Sequence, residues 1–191
     1  MGALAVPRLT PEAYLELDRK AEWKSEFHDG EMFPIEAASE RHALVAANLS
    51  GLCWQALRGK GCRCYLPPFR VKADKTKYVY PDITIVCGAA ILTDNHDDTL
   101  TNPVAIIEVL SPSTEDYNFG RKFRMYRSIA TVQEYVLVSQ SEPRIDVYRR
   151  VRGDVWTVSE PSIGLESSLA LDVIGTLLSP ADIYEHVEFP G

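Results

Sequence analysis

The chain has 191 residues, a length that suits one domain with a sizeable core, and its hydrophobic fraction of 46% and charged fraction of 25% are typical of a soluble globular protein. With 20 Lys and Arg against 27 Asp and Glu, the formal net charge is −7. This charge argues against a protein that holds nucleic acid by bulk electrostatics, so any such contact must be local or made by a dimer whose basic surfaces converge.

The cysteines and the N-terminus indicate the class of protein. The chain has four cysteines, Cys53, Cys62, Cys64 and Cys87. No two of them have the CxxC spacing, so a zinc ribbon is not expected. We interpret all four as reduced thiols of a cytoplasmic protein. Residues 1–7 lack the basic and apolar regions of a signal peptide, and no stretch of the sequence is apolar enough to span a membrane.

Cap and turn residues define the first predicted elements. Thr10 as N-cap and Pro11 at the first helical position predict a helix to about Lys20. The run from 23 to 35 predicts a β-hairpin with Asp29-Gly30 as its two-residue turn.

A long helix follows, capped by Ser39 and extending to about Arg58. One of its faces is apolar and carries Ala46, Leu49, Cys53 and Ala56. Strands are predicted at 63–65, 69–71, 80–86 and 105–110. The last two are separated by a long polar connection over 88–103.

The C-terminal part is predicted to contain a helix over 116–130, a strand over 134–138, a hairpin formed by 144–150 and 154–158, and a terminal helix over 181–187. Helices that flank a mixed sheet predict a single α/β (α+β) domain over residues 1–191.

Two acids lie in the apolar strands. Glu108 stands in Ala-Ile-Ile-Glu-Val-Leu, a strand that we expect to be covered on both faces. Asp82 follows Pro81, so it lies at the mouth of its strand. A buried carboxylate is costly unless something neutralises it, and two together would form the oxygen-rich pocket that Mg²⁺ prefers. The alternatives are a strand-end acid that reaches water and an N-terminal turn acid.

Lys122 is the third candidate. At about 100° per residue, it falls at the edge of the apolar face of the helix over 116–130. A lysine directed towards a buried acid has a partner there, whereas the alternative is a stem that packs while its amine reaches water. Two carboxylates and a lysine are the set that phosphodiester hydrolysis uses, with the lysine positioning water or offsetting developing charge.

These residues resemble the Uma-two family, a restriction-endonuclease-like branch of the PD-(D/E)XK nucleases. The resemblance extends from about Thr10 to Tyr184, and its most specific part is the run Glu-Val-Leu-Ser-Pro-Ser-Thr from Glu108. Its other residues are Glu26, Asp29-Gly30-Glu31, Ser39, His42, Pro81-Asp82, Asp116, Lys122 and Tyr126.

The resemblance implies a restriction-endonuclease-like mixed sheet flanked by helices, with an N-terminal hairpin, and an endonuclease that cuts DNA with Mg²⁺ or Mn²⁺. By this analogy Asp82 and Glu108 are metal ligands, with the backbone carbonyl of Val109 as a third. Leu110 stands two residues after the glutamate, where the superfamily has lysine. Lys122 is then the lysine displaced to the following helix.

Other residues have open roles. His42 is either a core histidine or a group beside the metal or scissile phosphate. Glu26 is either an auxiliary acid that contacts the metal through water or a surface charge of the hairpin. Basic residues on both sides of the site are predicted to contact phosphates or to form solvated faces: Arg70, Lys72, Lys75 and Lys77, then Arg121, Arg124 and Arg127.

Three functions compete on this basis. The first is a metal-dependent phosphodiesterase that acts on DNA as a homodimer, since two sites are needed to cut two strands. The second is a nucleic-acid-binding or regulatory protein that keeps the nuclease fold without turnover, which the net charge and Leu110 favour. The third is hydrolysis of RNA or of a small phosphoester.

Overall fold

The computed structural model describes residues 8–189. Residues 1–7, for which no signal peptide is predicted, lie outside the described residues. The helices are α1 (Pro11–Lys20), α2 (Glu40–Leu57), α3 (Glu115–Tyr117), α4 (Phe123–Ser128) and α5 (Pro180–Ile183), with a π-helical turn (Asn118–Lys122) joining α3 to α4.

The strands form three sheets. They are β1 (Ser25–His28), β2 (Glu31–Pro34), β3 (Cys62–Tyr65), β4 (Arg70–Asp74), β5 (Lys77–Val79), β6 (Ile83–Cys87), β7 (Thr99–Leu100), β8 (Ala105–Leu110), β9 (Glu134–Ser139), β10 (Arg144–Arg152), β11 (Val155–Val158), β12 (Ser162–Ile163), β13 (Leu169–Leu171) and β14 (Thr176–Leu178).

The central sheet has the order β11-β10-β9-β8-β6-β3, and β12 also pairs with β10. It is mixed, because β8 and β9 are parallel while the neighbouring pairs are antiparallel. A second sheet, β2-β1-β5-β4-β7, carries the N-terminal hairpin. The predicted mixed sheet with flanking helices and an N-terminal hairpin is confirmed.

The cap and turn residues have the predicted roles. The hydroxyl oxygen of Thr10 accepts from the N–H of Ala13, and Ser39 caps α2 in the same way. The hairpin turns at Asp29 and Gly30, both at positive φ (50° and 98°). Two consecutive residues in this region are what a two-residue turn between twisted strands requires.

Alternation along β8 divides the core between its two faces. Ile107 and Val109 pack with Leu49 of α2, while Ile106 and Leu110 pack with residues of α4 on the opposite face. Because side chains alternate along a strand, Glu108 projects to the α4 face. Pairing of β8 with its neighbours thus directs its one acid towards the helical segment that carries Lys122.

Several short elements differ from prediction. Strands β5, β7 and β12 to β14 were not predicted, and α5 has four residues where a helix over 181–187 was expected. The helix predicted over 116–130 spans α3, the π-helical turn and α4. Strands of two or three residues carry too little pattern of their own, because their partners come from elsewhere in the chain.

The prediction of four reduced thiols is wrong for one pair. Cys62 and Cys87 lie opposite each other in β3 and β6 and form a disulfide, whereas Cys53 and Cys64 are free. The two partners are 25 residues apart, so only strand pairing brings them together. Within the described residues, no helix is long and apolar enough to cross a membrane.

Candidate active site

A cavity of about 940 Å³ opens between the start of α2, the end of β8 and the helical segment over 115–128. We call it the acid cavity. Its lining includes the predicted acids, histidine and lysine of the site, and these are Glu26, His42, Asp82, Glu108 and Lys122. Val109 and Arg121 also line it.

Glu108 is buried and bound by two groups from the helical segment. The Lys122 ammonium donates to its Oε1 at 2.9 Å, and the Tyr126 hydroxyl donates to the same atom at 2.6 Å. Lys122 is itself only 7% exposed. The lysine therefore points inward to an acid, and neither the snorkelling alternative nor a strand-end Glu108 that reaches water holds.

Burial raises the pKa of Glu108 to about 7, with Lys122 opposing that shift and the charge of Asp82 adding to it. The pKa of Lys122 is raised, because the carboxylates of Glu108 and Glu26 outweigh the effect of its burial. The lysine is a permanent cation, while the acid is close to its titration point at neutral pH. An additional positive charge would favour the ionised form of Glu108.

Asp82 lies just before β6 and is hydrogen-bonded to the neighbouring strand β8. Its Oδ2 accepts from the backbone N–H of Val109 at 2.7 Å, and its Oδ1 is 3.1 Å from Nε2 of His42. Burial lowers the pKa of His42, but the contact with Asp82 outweighs burial and the net shift is upward. Asp82 and Glu108 both line the acid cavity, and His42 contacts Asp82 from α2.

Glu26 is 6% exposed, so the surface-charge alternative is wrong. Its carboxylate accepts from the N–H of Tyr80 at 3.1 Å and from the Tyr117 hydroxyl at 2.7 Å, and its Oε1 is 3.1 Å from Nζ of Lys122. Burial alone would raise its pKa, but the charge of Lys122 and these hydrogen bonds lower it to about 2. Glu26 is a fixed anion beside the lysine.

The π-helical turn explains how Tyr117 and Lys122, in one helical segment, both contact Glu26. Tyr117 and Lys122 are five residues apart, which in an α-helix separates side chains by about 140° around the axis. An i→i+5 turn adds a residue to the turn and brings such positions to one side. Both side chains accordingly contact the carboxylate of Glu26.

The donor set fits a hard divalent cation with few protein ligands. The described residues contain no group of three or more His, Cys, Asp or Glu side chains arranged for a metal. Magnesium commonly uses one or two carboxylates and keeps several waters, so Asp82 and Glu108 are a sufficient pair. Within the described part of the chain no hydrogen bond reaches Oε2 of Glu108, which leaves that oxygen available.

The backbone carbonyl of Val109 is a candidate ligand for the same cation. Pairing of β6 with β8 ends at Ile83 and Ile107, so Val109 lies beyond the paired region. The N–H and C=O of one strand residue point to the same side. Because its N–H reaches Asp82, the carbonyl of Val109 faces the same edge.

The basic residues are distributed unevenly. Arg121 lines the acid cavity, whereas Lys72 and Arg124 do not. Lys72 lies over the Tyr78 ring, with Nζ 5.5 Å from its centroid. Arg70 is buried and donates to Asp18 at 3.0 Å, so the prediction that Arg70 contacts phosphates is wrong.

Sequence reasoning missed two polar residues beside the site. Tyr117 bridges Glu26 and His28, with its oxygen 2.6 Å from Nε2 of the imidazole. His28 is two residues after Glu26 on one strand, so alternation placed both on one face and was a usable signal. Tyr117 gave no such signal, since a regular helix would have turned it away from Lys122.

A mixed sheet flanked by helices, with Asp82 just before β6, Glu108 in the neighbouring strand β8 and Lys122 in contact with Glu108, defines a restriction-endonuclease-like fold. The chain belongs to the Uma2 (Uma-two) family, whose model is described as a putative restriction endonuclease and matches residues 11–178.

The chain is also similar to two curated proteins and to one solved structure. Two uncharacterised proteins of the cyanobacterium Synechocystis are 32% and 35% identical over 178 and 153 residues; these matches cover 88% and 80% of this chain and 92% and 86% of theirs. A putative nuclease of the DUF820 group from Anabaena variabilis has a crystal structure with a TM-score of 0.76. It is 17% identical, and the match covers 92% of this chain and 97% of that one, so it shows the fold.

Proposed function

We propose that the protein is a divalent-metal-dependent endonuclease that hydrolyses phosphodiester bonds in DNA. The observation that carries this proposal is Lys122, buried between the carboxylates of Glu108 and Glu26 at the wall of an open cavity. A family described as putative restriction endonucleases and a nuclease-like fold support it.

Asp82, Glu108 and the carbonyl of Val109 would hold the cation, which we propose to be Mg²⁺ with Mn²⁺ as a substitute. When bound, such an ion polarises the phosphate and lowers the pKa of a water molecule. His42 orients Asp82 through its contact with Oδ1, as a partner beyond the ligands commonly does.

Lys122 has two tasks in this proposal. Its ammonium offsets the negative charge that develops on the phosphate, and it positions the attacking water. Glu26 keeps the lysine in place when Glu108 turns towards a cation, because Nζ already lies 3.1 Å from Oε1 of Glu26. Arg121, at the cavity wall, is proposed to contact a phosphate, and we propose the same role for Lys72 and Arg124 outside it.

We propose that the protein acts as a homodimer, since a cut in both strands of DNA requires two active sites. We also propose that it is located in the cytoplasm. The cytoplasmic part of this proposal no longer draws support from reduced thiols, because Cys62 and Cys87 form a disulfide.

A second candidate is a nuclease-fold protein that binds nucleic acid or regulates without turnover. Leu110 in the usual lysine position favours it, as does the occupation of Oε1 of Glu108 by two donors. Incubation of DNA, RNA and a small phosphodiester with Mg²⁺ and the purified chain separates the possibilities. We expect DNA cleavage; cleavage of RNA alone, or of the small ester alone, contradicts the DNA substrate, and binding without cleavage supports the second candidate.

A further inference from the structure

A second pocket lies at the far end of α2. Its volume is about 360 Å³, and it is lined by Trp54, Leu57, Arg58, Gly59, Gly61, Cys62, Arg63 and Cys64. We call it the Trp54 pocket. Within the described part of the chain, its lining holds two arginines and no acid. This is unusual for a chain with a net charge of −7.

The aromatic ring of this pocket is open to solvent. Trp54 is 60% exposed, although a large apolar ring is ordinarily buried. The guanidinium carbon of Arg58 lies 5.3 Å from the indole centroid, so the ring already stacks with a cation. Arg63 uses one donor on the carbonyl of Gly88 at 3.3 Å. Since a guanidinium has five N–H donors, others stay available.

One face of α2 connects this pocket to the acid cavity. The α2 residues that line the acid cavity are His42, Ala43, Ala46, Ala47 and Ser50. Those that line the Trp54 pocket are Trp54 and Leu57, together with Arg58, the C-cap of the helix. From Ala43 onward these positions fall within an arc of about 120° at 100° per residue. They form one stripe along the helix.

The edge strand β3 follows the same course. Cys62 to Cys64 line the Trp54 pocket, and Leu66 and Pro67, just after β3, line the acid cavity. Helix α2 and the β3 segment therefore border both pockets. The twelve residue steps from His42 to Trp54 correspond to about 18 Å of helix, at 1.5 Å per residue.

We infer that the Trp54 pocket is a second nucleic-acid subsite, which binds single-stranded nucleic acid leaving the acid cavity along α2 and β3. A base stacks on the Trp54 indole, and Arg58 and Arg63 contact the flanking phosphates. Rings that accept any base and cations that follow a backbone are the common means of binding single strands. At about 3.4 Å per nucleotide, the spacing within a stacked duplex, 18 Å corresponds to roughly five nucleotides at most.

This inference rests on the proposed function for the course of the strand, but its test does not require cleavage. The full chain is titrated with a fluorescein-labelled single-stranded oligonucleotide of about twelve nucleotides, more than twice the estimated span. Anisotropy is read in EDTA at several salt concentrations. The variants are Trp54→Ala, Trp54→Phe and Arg63→Gln, with Arg152→Gln as the matched control. Arg152 is an exposed arginine of β10, towards the opposite edge of the central sheet.

Trp54→Ala is expected to weaken binding by at least about fivefold, the lower end for loss of a base stack, and Trp54→Phe to weaken it less. Arg63→Gln is expected to reduce the magnitude of the salt slope by about 0.7, the value for one phosphate contact with a single strand, while Arg152→Gln leaves it unchanged. An unfolded variant would instead lose the entire salt dependence of oligonucleotide binding. Circular dichroism verifies that each variant is folded.

Equal affinity of Trp54→Ala and wild type overturns the inference, as do equal salt slopes for Arg63→Gln and Arg152→Gln. A matched duplex that binds as tightly, with the same dependence on Trp54, overturns the single-strand assignment. Cleavage with Mg²⁺ but no dependence on Trp54 would leave the proposed function standing without this subsite. Binding that depends on Trp54, without cleavage, would support the subsite and count against the proposed function.

Discussion

The ammonium of Lys122 lies 2.9 Å from Oε1 of Glu108, and both side chains are buried. A buried ion pair is maintained only where further hydrogen bonds satisfy both partners. Tyr126 supplies one to Glu108, and Glu26 supplies a second acceptor for the lysine. With Asp82, three carboxyl groups and one lysine line the same cavity, an excess of acids that favours a bound cation.

Replacement of the lysine separates cleavage from metal binding. Lys122→Met is expected to abolish DNA cleavage while a cation still binds, because the carboxylates stay in place. It should also lower the free energy of unfolding by about 3–5 kcal/mol, since Glu108 and Glu26 lose their buried partner. Cleavage assays, calorimetric titration with Mg²⁺ and urea unfolding measure the three effects.

Arg124→Gln is the matched control for metal binding and stability, because Arg124 is an exposed cation of the same helical segment and does not line the acid cavity. Its cleavage is not compared, since Arg124 is proposed to contact a phosphate. It should bind Mg²⁺ and unfold as the wild type does. Full cleavage by a folded Lys122→Met protein would remove the lysine from the mechanism.

Metal binding is expected to strengthen as pH rises through neutrality. The pKa of Glu108 is raised by burial from 4.5 to about 7, and a bound cation requires the ionised form. Binding must therefore release a proton below about pH 7. Calorimetric titrations in buffers of different ionisation enthalpy measure this proton; an affinity that is constant between pH 6 and 8 would contradict the account.

The raised pKa of Glu108 also makes the stability of the fold depend on pH. A carboxyl whose pKa is higher in the folded protein stabilises the fold fully below its unfolded value of 4.5, and this contribution is lost as pH rises through about 7. Glu26 behaves in the opposite sense: its pKa is lowered to about 2, so its contribution is present above 4.5 and lost as pH falls towards 2. In Glu108→Gln, the decline in unfolding free energy between pH 5 and 7 should become smaller than in wild type.

Loss of the histidine beside Asp82 should weaken metal binding without removing a ligand. His42→Ala is expected to reduce Mg²⁺ affinity by roughly 10- to 100-fold, the usual effect of removing a partner that orients a ligand. His96→Ala, an exposed histidine between β6 and β7, serves as the control. Unchanged affinity in His42→Ala would assign the 3.1 Å contact with Asp82 to packing alone.

The disulfide should contribute to stability. Replacement of both Cys62 and Cys87 by serine is expected to lower the free energy of unfolding by about 2–4 kcal/mol, because the closed loop restricts the unfolded chain. Cys64→Ser, a free cysteine of the same strand, is the control. Mass spectrometry of the alkylated protein checks the pairing directly, and four modified cysteines without reductant would contradict it.

Local signals made much of the fold predictable. Thr10 with Pro11, Asp29 with Gly30, and Ser39 each fix the backbone through neighbouring atoms, so the two long helices and the first hairpin were predicted close to their observed ends. Asp82 and Glu108, as acids in apolar strands, were equally easy to recognise in the sequence. A carboxylate at such a position has few explanations apart from a partner or an ion.

The rest depends on contacts between distant segments. Cys62 and Cys87 meet through strand pairing, and Glu26 meets Tyr117 across 91 residues. The π-helical turn alters which helical positions share a face, so 100° spacing alone left Lys122 at an edge. Terminal strands such as β13 and β14 pair with each other and have only three residues each. Their sequences are too short for periodicity to act as a signal.

The most direct test is cleavage of supercoiled and single-stranded DNA with Mg²⁺ or Mn²⁺ by the wild type, by Glu108→Ala and by Glu160→Ala, which removes an exposed acid far along the chain. The account predicts metal-dependent nicking by the wild type and Glu160→Ala, and none by a folded Glu108→Ala protein. Nicking that persists in Glu108→Ala, or a wild type that cuts no DNA with either metal, would contradict it.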